Sequence, residues 1–347
     1  MTWMLYGANG YTGQLIAEEA VRRGHRPLLA GRSAEKLAKV AKRLSLDHEV
    51  IDLTAEPGKL QKVVNDVDLV LHAAGPFIHT SAPMVQACLA GNAHYLDITG
   101  EFRVFEQVFA RDADAQAAGI ALIPGVGYDV IPTDCLAKYV ADFMSGAVEL
   151  EIAMDAIATP SGGTFKSLLE IIKDGGYLRR DGKLISQRLG KGTRTINFSH
   201  GTFTAIPVPL GDLISAYHAT GIPNITTYMT NKTLRRVRSL LPISGLFLSN
   251  AALRQRIGSI GEKFTAAKAG KGRSYLWARV LDSHGKSVEA RMEVAEGYEF
   301  TYLAAVRAVE KVLEKKPKGA LSPAQALGVD FILDIPGTVR SAVEQYT

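Results

Sequence analysis

The sequence predicts an α/β protein in two parts: a doubly wound parallel sheet over residues 1–145, then a second α+β domain with a mostly antiparallel sheet over 146–347. Three observations predict it. At 347 residues the chain exceeds the usual size of one hydrophobic core. Its first part alternates short apolar runs with helical patterns, which is how a parallel sheet covered on both faces is written. After about Met144 the runs become strand-like and several alternate in polarity, as in half-buried antiparallel strands. With 47% apolar and 22% charged residues the whole is globular rather than disordered.

Taken in order, WMLYG reads as a strand and TGQLIAEEAVRRG as a helix. LLAG is a second strand, followed by a helix over Ala34–Leu44 whose Leu37, Val40, Ala41 and Leu44 fall on one face, with Ser33 placed to cap it. HEVIDL, DLVLHAAG, HYLDIT and GIALIPG are the remaining strands, with helices between them, and Pro83 and Pro132 stand where a proline suits a first helical turn. In the second part ELEIAMDAIA, TRTINFS, TFTAIPVP, NITTYMT, SYLWARVLDS and KSVEARMEVA read as strands, the last two joined by the turn SHGK, and Thr164–Lys173 as a helix. The helix Tyr298–Lys315 and the strand-like DFILDI near the end are candidates for return to the first domain.

In YGANGYTG the glycines fall at 7, 10 and 13, immediately after a strand and before a helix. That setting serves a sharp turn, leaves no side chain where a pyrophosphate meets the backbone, and offers the N–H groups of a helix terminus to the phosphates. The segment Gly7, Asn9, Gly10, Tyr11, Thr12 and Gly13 is therefore read as the nucleotide turn of a Rossmann fold. Arg32 lies nineteen residues after Gly13, at the end of the second strand. A site for NAD places an acid there against the ribose 2′-hydroxyl, and a guanidinium in that place suits a 2′-phosphate. Arg32, with Ser33 beside it, predicts NADP. Asp52 closes the third strand, either accepting from the adenine amino group or capping the next turn.

Ligands of such sheets lie outside the carboxyl ends of the strands. Three further stretches end there. HAAGPF brings Ala73, Ala74, Gly75 and Pro76 to the pyrophosphate and nicotinamide ribose, LDITGE brings Asp97, Thr99 and Glu101, and PGVGYDVIPTD brings Tyr128 and Asp129. Hydride transfer asks the protein to hold the cofactor against the acceptor and to supply a proton. Tyr128 is the first candidate donor, His79 the second, with Asp129 in the same turn as Tyr128. These polar side chains have structural alternatives as well: Asp97 in fixing a loop, Glu101 in starting a helix, Asp129 and Thr133 in capping the helix after Pro132. There is no Tyr-x-x-x-Lys after the fifth strand, which excludes the short-chain arrangement.

Other classes are set aside on composition. The only cysteines, Cys88 and Cys135, lie in helical patterns and read as reduced, packed thiols, and no metal-ligand spacing is present. MTWMLYGANG has no basic segment before an apolar core, which predicts a cytoplasmic protein. The net charge of +5 is local: 231–273 holds ten basic residues against Glu262, or +9, leaving −4 elsewhere. No aromatic-basic interleaving accompanies it, so nucleic acid is not an expected partner. Residues 232–273 also contain LLPISGLFL, and the segment suits either peripheral contact with an anionic membrane or packing against its own domain or a second subunit.

GANGYTG, LLAGRS, HAAGPF, YLDITGE, PGVGYDVIPTD, SGGTF, AYHATGIPN, SYLWARV and DFILDIPG, in that order, resemble the saccharopine dehydrogenase-like oxidoreductases, in particular their trans-acting enoyl reductase branch. The resemblance implies an NADP-binding Rossmann domain and a second domain that supplies the substrate pocket and a dimer contact. For that branch it implies reduction of a carbon-carbon double bond on a lipid-type acyl chain. Val126 and Val130 replace cysteine and serine of relatives, so no thiol or hydroxyl role carries over to them. Gly-Leu-Asp-Pro-Gly, expected of a true saccharopine reductase, is absent. The readings are an NADP-dependent oxidoreductase acting on an enoyl or carbonyl group of an apolar small molecule, an opine-type amino-acid dehydrogenase, or a non-catalytic NADP-binding sensor or membrane-associated scaffold.

Overall fold

The computed structural model describes residues 2–155, 175–188, 191–230 and 272–347. The expected helix over Thr164–Lys173 and the basic segment as far as 271 lie outside the described residues. The chain forms two units, one drawn from 1–99, 103–128 and 300–327, the other from 100–102, 129–299 and 328–347.

The first unit is a parallel sheet of seven strands. β1 (Trp3–Tyr6), β2 (Leu28–Gly31), β3 (His48–Val50), β4 (Leu69–His72), β5 (His94–Asp97), β6 (Ala121–Ile123) and β15 (Gly319–Ala320) run in the order β15-β6-β5-β4-β1-β2-β3. Every pairing in it is parallel. The chain leaves β1 toward β2 and β3 on one side and returns to β4, β5 and β6 on the other, so the order reverses between β1 and β4. Such a reversal opens a crevice at the carboxyl ends of the two strands. The connecting helices are α1 (Tyr11–Arg22), α2 (Ala34–Leu44), α3 (Pro57–Val64), α4 (Phe77–Gly91), α5 (Phe102–Phe109) and α6 (Asp112–Ala118). Because helices cover both faces, the middles of the central strands are continuously apolar rather than alternating: Met4, Leu5, Val70, Leu71, Tyr95 and Leu96 are all fully buried, while His72, His94 and Asp97 stand at strand ends. Leu37, Val40 and Ala41 of α2 are buried as their spacing predicts, with Leu44 at the margin.

Pro83 departs from expectation. The helix begins earlier, at Phe77 after Pro76, and Pro83 sits in its interior. The first unit is completed by most of α9 (Gly297–Lys315), then β15 and α10 (Pro323–Leu327). β15 has two residues, too few for a periodicity to show.

The second unit holds ten described strands. β7 (Glu149–Asp155), β8 (Gly176–Arg180), β9 (Lys183–Gln187), β10 (Arg194–Phe198), β11 (Gly201–Pro207), β12 (Asn224–Thr230), β13 (Arg273–Leu281), β14 (Ser287–Ala295), β16 (Val339–Arg340) and β17 (Glu344–Tyr346) make one sheet. Its spine is β10-β11-β12-β7-β13-β14-β16; β12 and β7 are parallel and the other pairs antiparallel. The β13–β14 turn closes as expected, with Asp282 Oδ1 accepting from the N–H groups of His284 and Lys286. α7 (Ile131–Asp142), started by Val130 and Pro132, packs on β13, β14 and α8 (Asp212–Thr220).

Two elements differ from the sequence reading. β8 and β9 form a hairpin on Asp181–Gly182, both at positive φ (47° and 73°), the turn that an Asp-Gly pair favours. DFILDI is not a strand: Val329–Asp334 is a 3₁₀ helix. Its buried residues Phe331 and Ile332 are neighbours in sequence, which a strand of alternating faces would not bury together.

Candidate functional site

The turn after β1 is held chiefly by backbone bonds, with the Gln14 amide donating to Asn9 O at 3.1 Å. Gly7 has φ +90°, and its N–H donates to the Ala30 carbonyl of β2 at 2.8 Å. Gly10 N–H donates back to Gly7 O at 2.9 Å, and α1 starts at Tyr11 with no side chain capping it. Each glycine answers a separate steric demand. A Cβ on Gly13 would lie 2.2 Å from Gly7 O, one on Gly7 would lie 2.8 Å from the Ala73 carbonyl carbon, and one on Gly10 would meet Gly7 O at 3.2 Å. Asn9, Tyr11 and Thr12 stand half-buried around this turn. Asn9 reaches toward β2, where a Cβ on Gly31 would meet its Oδ1 at 2.6 Å. The result is a tight turn leading into a helix terminus that no side chain caps, an arrangement that suits a pyrophosphate.

Arg32 follows the last residue of β2 and is exposed. It makes no hydrogen bond or ion pair among the described residues. Ser33 sits at the N-cap of α2 with extended backbone, yet its hydroxyl makes no capping bond. Both donors are thus available to an anion. Asp52 takes the capping alternative: Oδ1 accepts from Thr54 N–H (2.9 Å), Thr54 Oγ1 (2.8 Å) and Ala55 N–H (3.1 Å). Those bonds, aided by Arg32, hold its carboxyl below the ordinary range. Beneath it the buried Tyr6 hydroxyl donates to Ile51 O, and burial raises that phenol to about 12.

Ala73, Ala74, Gly75 and Pro76 form the link from β4 to α4. Ala73 N–H is fixed to Tyr6 O at 2.8 Å, Gly75 is exposed, and Pro76 is the N-cap of α4. His79 lies in the first turn of α4 with its side chain exposed. Before them stands His72, which the sequence reading passed over; it is fully buried, and burial pushes its imidazole down to about 3.

Asp97, at the end of β5, is wholly buried. Oδ1 accepts from the N–H groups of Thr99 and Gly125, both at 2.9 Å, and Oδ2 from the Tyr95 hydroxyl at 2.7 Å. It therefore ties the segment after β5 to the segment after β6, the loop-fixing alternative. Tyr128, 7% exposed, has its N–H on Thr301 Oγ1 at 3.1 Å and its ring edge-on to Phe300. So the turn glycines, Arg32, Ser33, Asp52, the 73–76 link, His79 and Tyr128 all belong to the first unit.

Asp129 belongs to the second unit. The residue as a whole is exposed, but protein gathered around its carboxyl desolvates that group and raises it from 3.8 to about 6. Glu101, of the same unit, is buried. Thr133 Oγ1 donates to Val130 O at 2.9 Å, in the first turn of α7. Beyond it Ser215 of α8 donates to Asp134 of α7, and burial pushes Asp212 far above the usual carboxylate range. Nothing in the local sequence marks these partners, because they meet only when the two helices pack.

Comparison with known proteins agrees with the turn. Residues 3–123 match the saccharopine dehydrogenase NADP-binding domain. A saccharopine dehydrogenase-like oxidoreductase of Mus musculus is 32% identical over 202 residues, covering 51% of this chain and 47% of that protein. A protein of Mycobacterium tuberculosis bearing the name trans-acting enoyl reductase is 32% identical over 187 residues, covering 49% of this chain and 43% of its own. The chain spans about half the length of the curated relatives it matches. Among solved structures, the apo saccharopine dehydrogenase (L-Glu forming) of Saccharomyces cerevisiae shares the fold with TM-score 0.64 over 100% of both chains at 14% identity. Over residues 3–123, this chain carries the NADP-binding domain of the saccharopine dehydrogenase family.

Proposed function

We propose that the chain is an NADP-dependent reductase that acts on the carbon-carbon double bond of an acyl-type substrate or on a carbonyl group of another apolar small molecule. The observation that carries the reading is Arg32, exposed and without a hydrogen bond or salt bridge among the described residues at the end of β2, beside a turn whose Gly7 and Gly13 have no space for a Cβ. In this reading Gly7, Asn9, Gly10, Tyr11, Thr12 and Gly13 hold the diphosphate, Arg32 and Ser33 the 2′-phosphate, and Ala73 to Pro76 the far side of the dinucleotide, with Asp52 shaping the adenosine end. The bound cofactor supplies the hydride. Asp129, whose carboxyl stands near 6, gives the proton, with Tyr128 and His79 as the other donors within the same reading.

The enoyl acceptor is favoured by the relative named as an enoyl reductase. The basic, leucine-containing stretch of 232–273 suits an anionic membrane surface, where such a substrate would be met. Stopped-flow oxidation of bound NADPH with a panel of enoyl thioesters, ketones and keto acids with amines tests the proposal. Rapid oxidation by an enoyl thioester or a ketone is expected. Oxidation only by amine plus keto acid would instead identify an amino-acid dehydrogenase, and NADPH left unoxidised throughout would identify a sensor.

A further inference from the structure

Thr80, in the first turn of α4, has one hydroxyl proton and three polar neighbours. Its Oγ1 stands 2.8 Å from Ala74 O, 3.3 Å from Pro76 O and 3.0 Å from His72 Nε2. A carbonyl oxygen offers no proton, so the 2.8 Å contact takes the one on the hydroxyl. His72 Nε2 must then carry a proton and donate it to the remaining lone pair of Thr80. This count leaves Nδ1 of His72 as a bare lone pair, and that atom is buried without a hydrogen-bond partner. The ring lies between Tyr6 and Phe77, with centroids 5.4 and 5.3 Å away. A phenylalanine would fill such a space without stranding an acceptor, so what the imidazole adds is its single N–H.

The carbonyl secured in this way belongs to the wall of the glycine turn. A Cβ on Gly7 would come within 2.8 Å of the Ala73 carbonyl carbon and 2.9 Å of Ala74 Cβ, so the 73–74 backbone lies directly against the turn. We propose that His72 and Thr80 form a two-bond latch that sets the position of the Ala73–Ala74 wall, and with it the width of the dinucleotide cradle. Both are positioning residues, and their role rests on the NADP-reductase reading above. Tyr6 O, holding Ala73 N–H, fixes the wall at one end, and Thr80, oriented by His72, fixes it at the other.

Thr80→Val removes both bonds at nearly constant shape, Thr80→Ser keeps them, and His72→Phe removes only the orienting donor. NADPH titrations followed by cofactor fluorescence, below the melting midpoint of every variant, should show Thr80→Val weakened roughly 3- to 10-fold and Thr80→Ser within about 2-fold of the parent. His72→Phe should fall between them with an unchanged melting midpoint, which a purely structural histidine would not produce. In the unmodified protein, ¹⁵N spectra of labelled histidine should report His72 as the Nε2–H tautomer, constant from about pH 5 to 8. A Thr80→Val protein that binds NADPH like the parent would overturn the role in binding, and an Nδ1–H or titrating His72 would overturn the latch itself. A parent protein that binds no NADPH would sink the cofactor reading together with this role, and it is told apart from failure of the latch by the tautomer.

Discussion

The Cβ of any residue other than glycine at position 13 would fall 2.2 Å from the carbonyl oxygen of Gly7. That contact is with backbone, so no side-chain rotation relieves it; either α1 or the Gly7 turn has to move. Gly13→Ala is expected to cost roughly 1–3 kcal/mol of stability through overpacking. By displacing the first turn of α1 it should also weaken NADPH by at least about 10-fold. Calorimetry and a cofactor titration check both halves, and an alanine variant that binds normally would show that the turn does not hold the diphosphate.

Arg32 separates the two nicotinamide cofactors. Hydrogen bonds to a charged group contribute roughly 1.5–3 kcal/mol, and only NADPH carries the phosphate that would receive them. Arg32→Ala should therefore weaken NADPH roughly 10- to 150-fold and leave NADH almost unchanged. Equal losses for both would remove the 2′-phosphate assignment and point to a general effect on the turn.

The parts of the fold legible in the sequence are those set by local geometry. The glycines of the turn, the helix Ala34–Leu44 and the hairpin at SHGK each declare themselves within a dozen residues, because a φ, a 3.6-residue period or a turn chemistry fixes them. The place of Arg32, directly after β2, was legible for the same reason, being a fixed step beyond a strand that the glycines locate. His72, Thr80 and the partners of Asp97 were not, since they depend on which distant groups the fold brings together. Asp97 binds Gly125, 28 residues away, and only the pairing of β5 with β6 brings that N–H near. The Asp181–Gly182 hairpin carried a readable signal, while the 3₁₀ segment at 329–334 did not, because six residues of mixed polarity fit two periods equally well.

Asp97 offers a test of the loop-fixing role. An asparagine keeps one carbonyl-type acceptor for Thr99 and Gly125 but turns an amide toward the buried Tyr95 hydroxyl, which now donates to Oδ2. Charge-assisted acceptance is lost at a site sealed from water, and Asp97→Asn should destabilise by about 1–3 kcal/mol. The melting midpoint should drop by roughly 2–4 °C per kcal/mol. A variant melting with the parent would show that the carboxylate is not what holds the two loops.

Asp129 gives the proposed reaction a pH signature. Desolvation raises its carboxyl to about 6, so the proton-bearing form prevails below that value and is lost as pH rises through it. If Asp129 is the donor, turnover should decline on the alkaline side of about pH 6. Asp129→Asn should flatten that limb and lower turnover on the order of 10²-fold, the usual scale of general acid catalysis. The same limb persisting in the asparagine variant would transfer the role to Tyr128 or His79.

Glu310 of α9 shows how the returning helix is held within the first unit. Burial by itself would raise its carboxyl, but bonds from Arg23 (2.6 and 2.7 Å), His25 (3.0 Å) and Arg307 (3.0 Å) outweigh that and bring it from 4.5 down to about 2. A carboxyl depressed by folding contributes stability in full above its unfolded value and loses it as pH falls toward the folded one. Because the cluster is partly open to solvent, screening limits its contribution to about 1–2 kcal/mol. Glu310→Gln should therefore melt below the parent at pH 7, and the gap should narrow below about pH 4.5 and close near pH 2. Thermal melts of both proteins across that range provide the check: a gap of constant width would mean that Glu310 acts through packing and not through its charge.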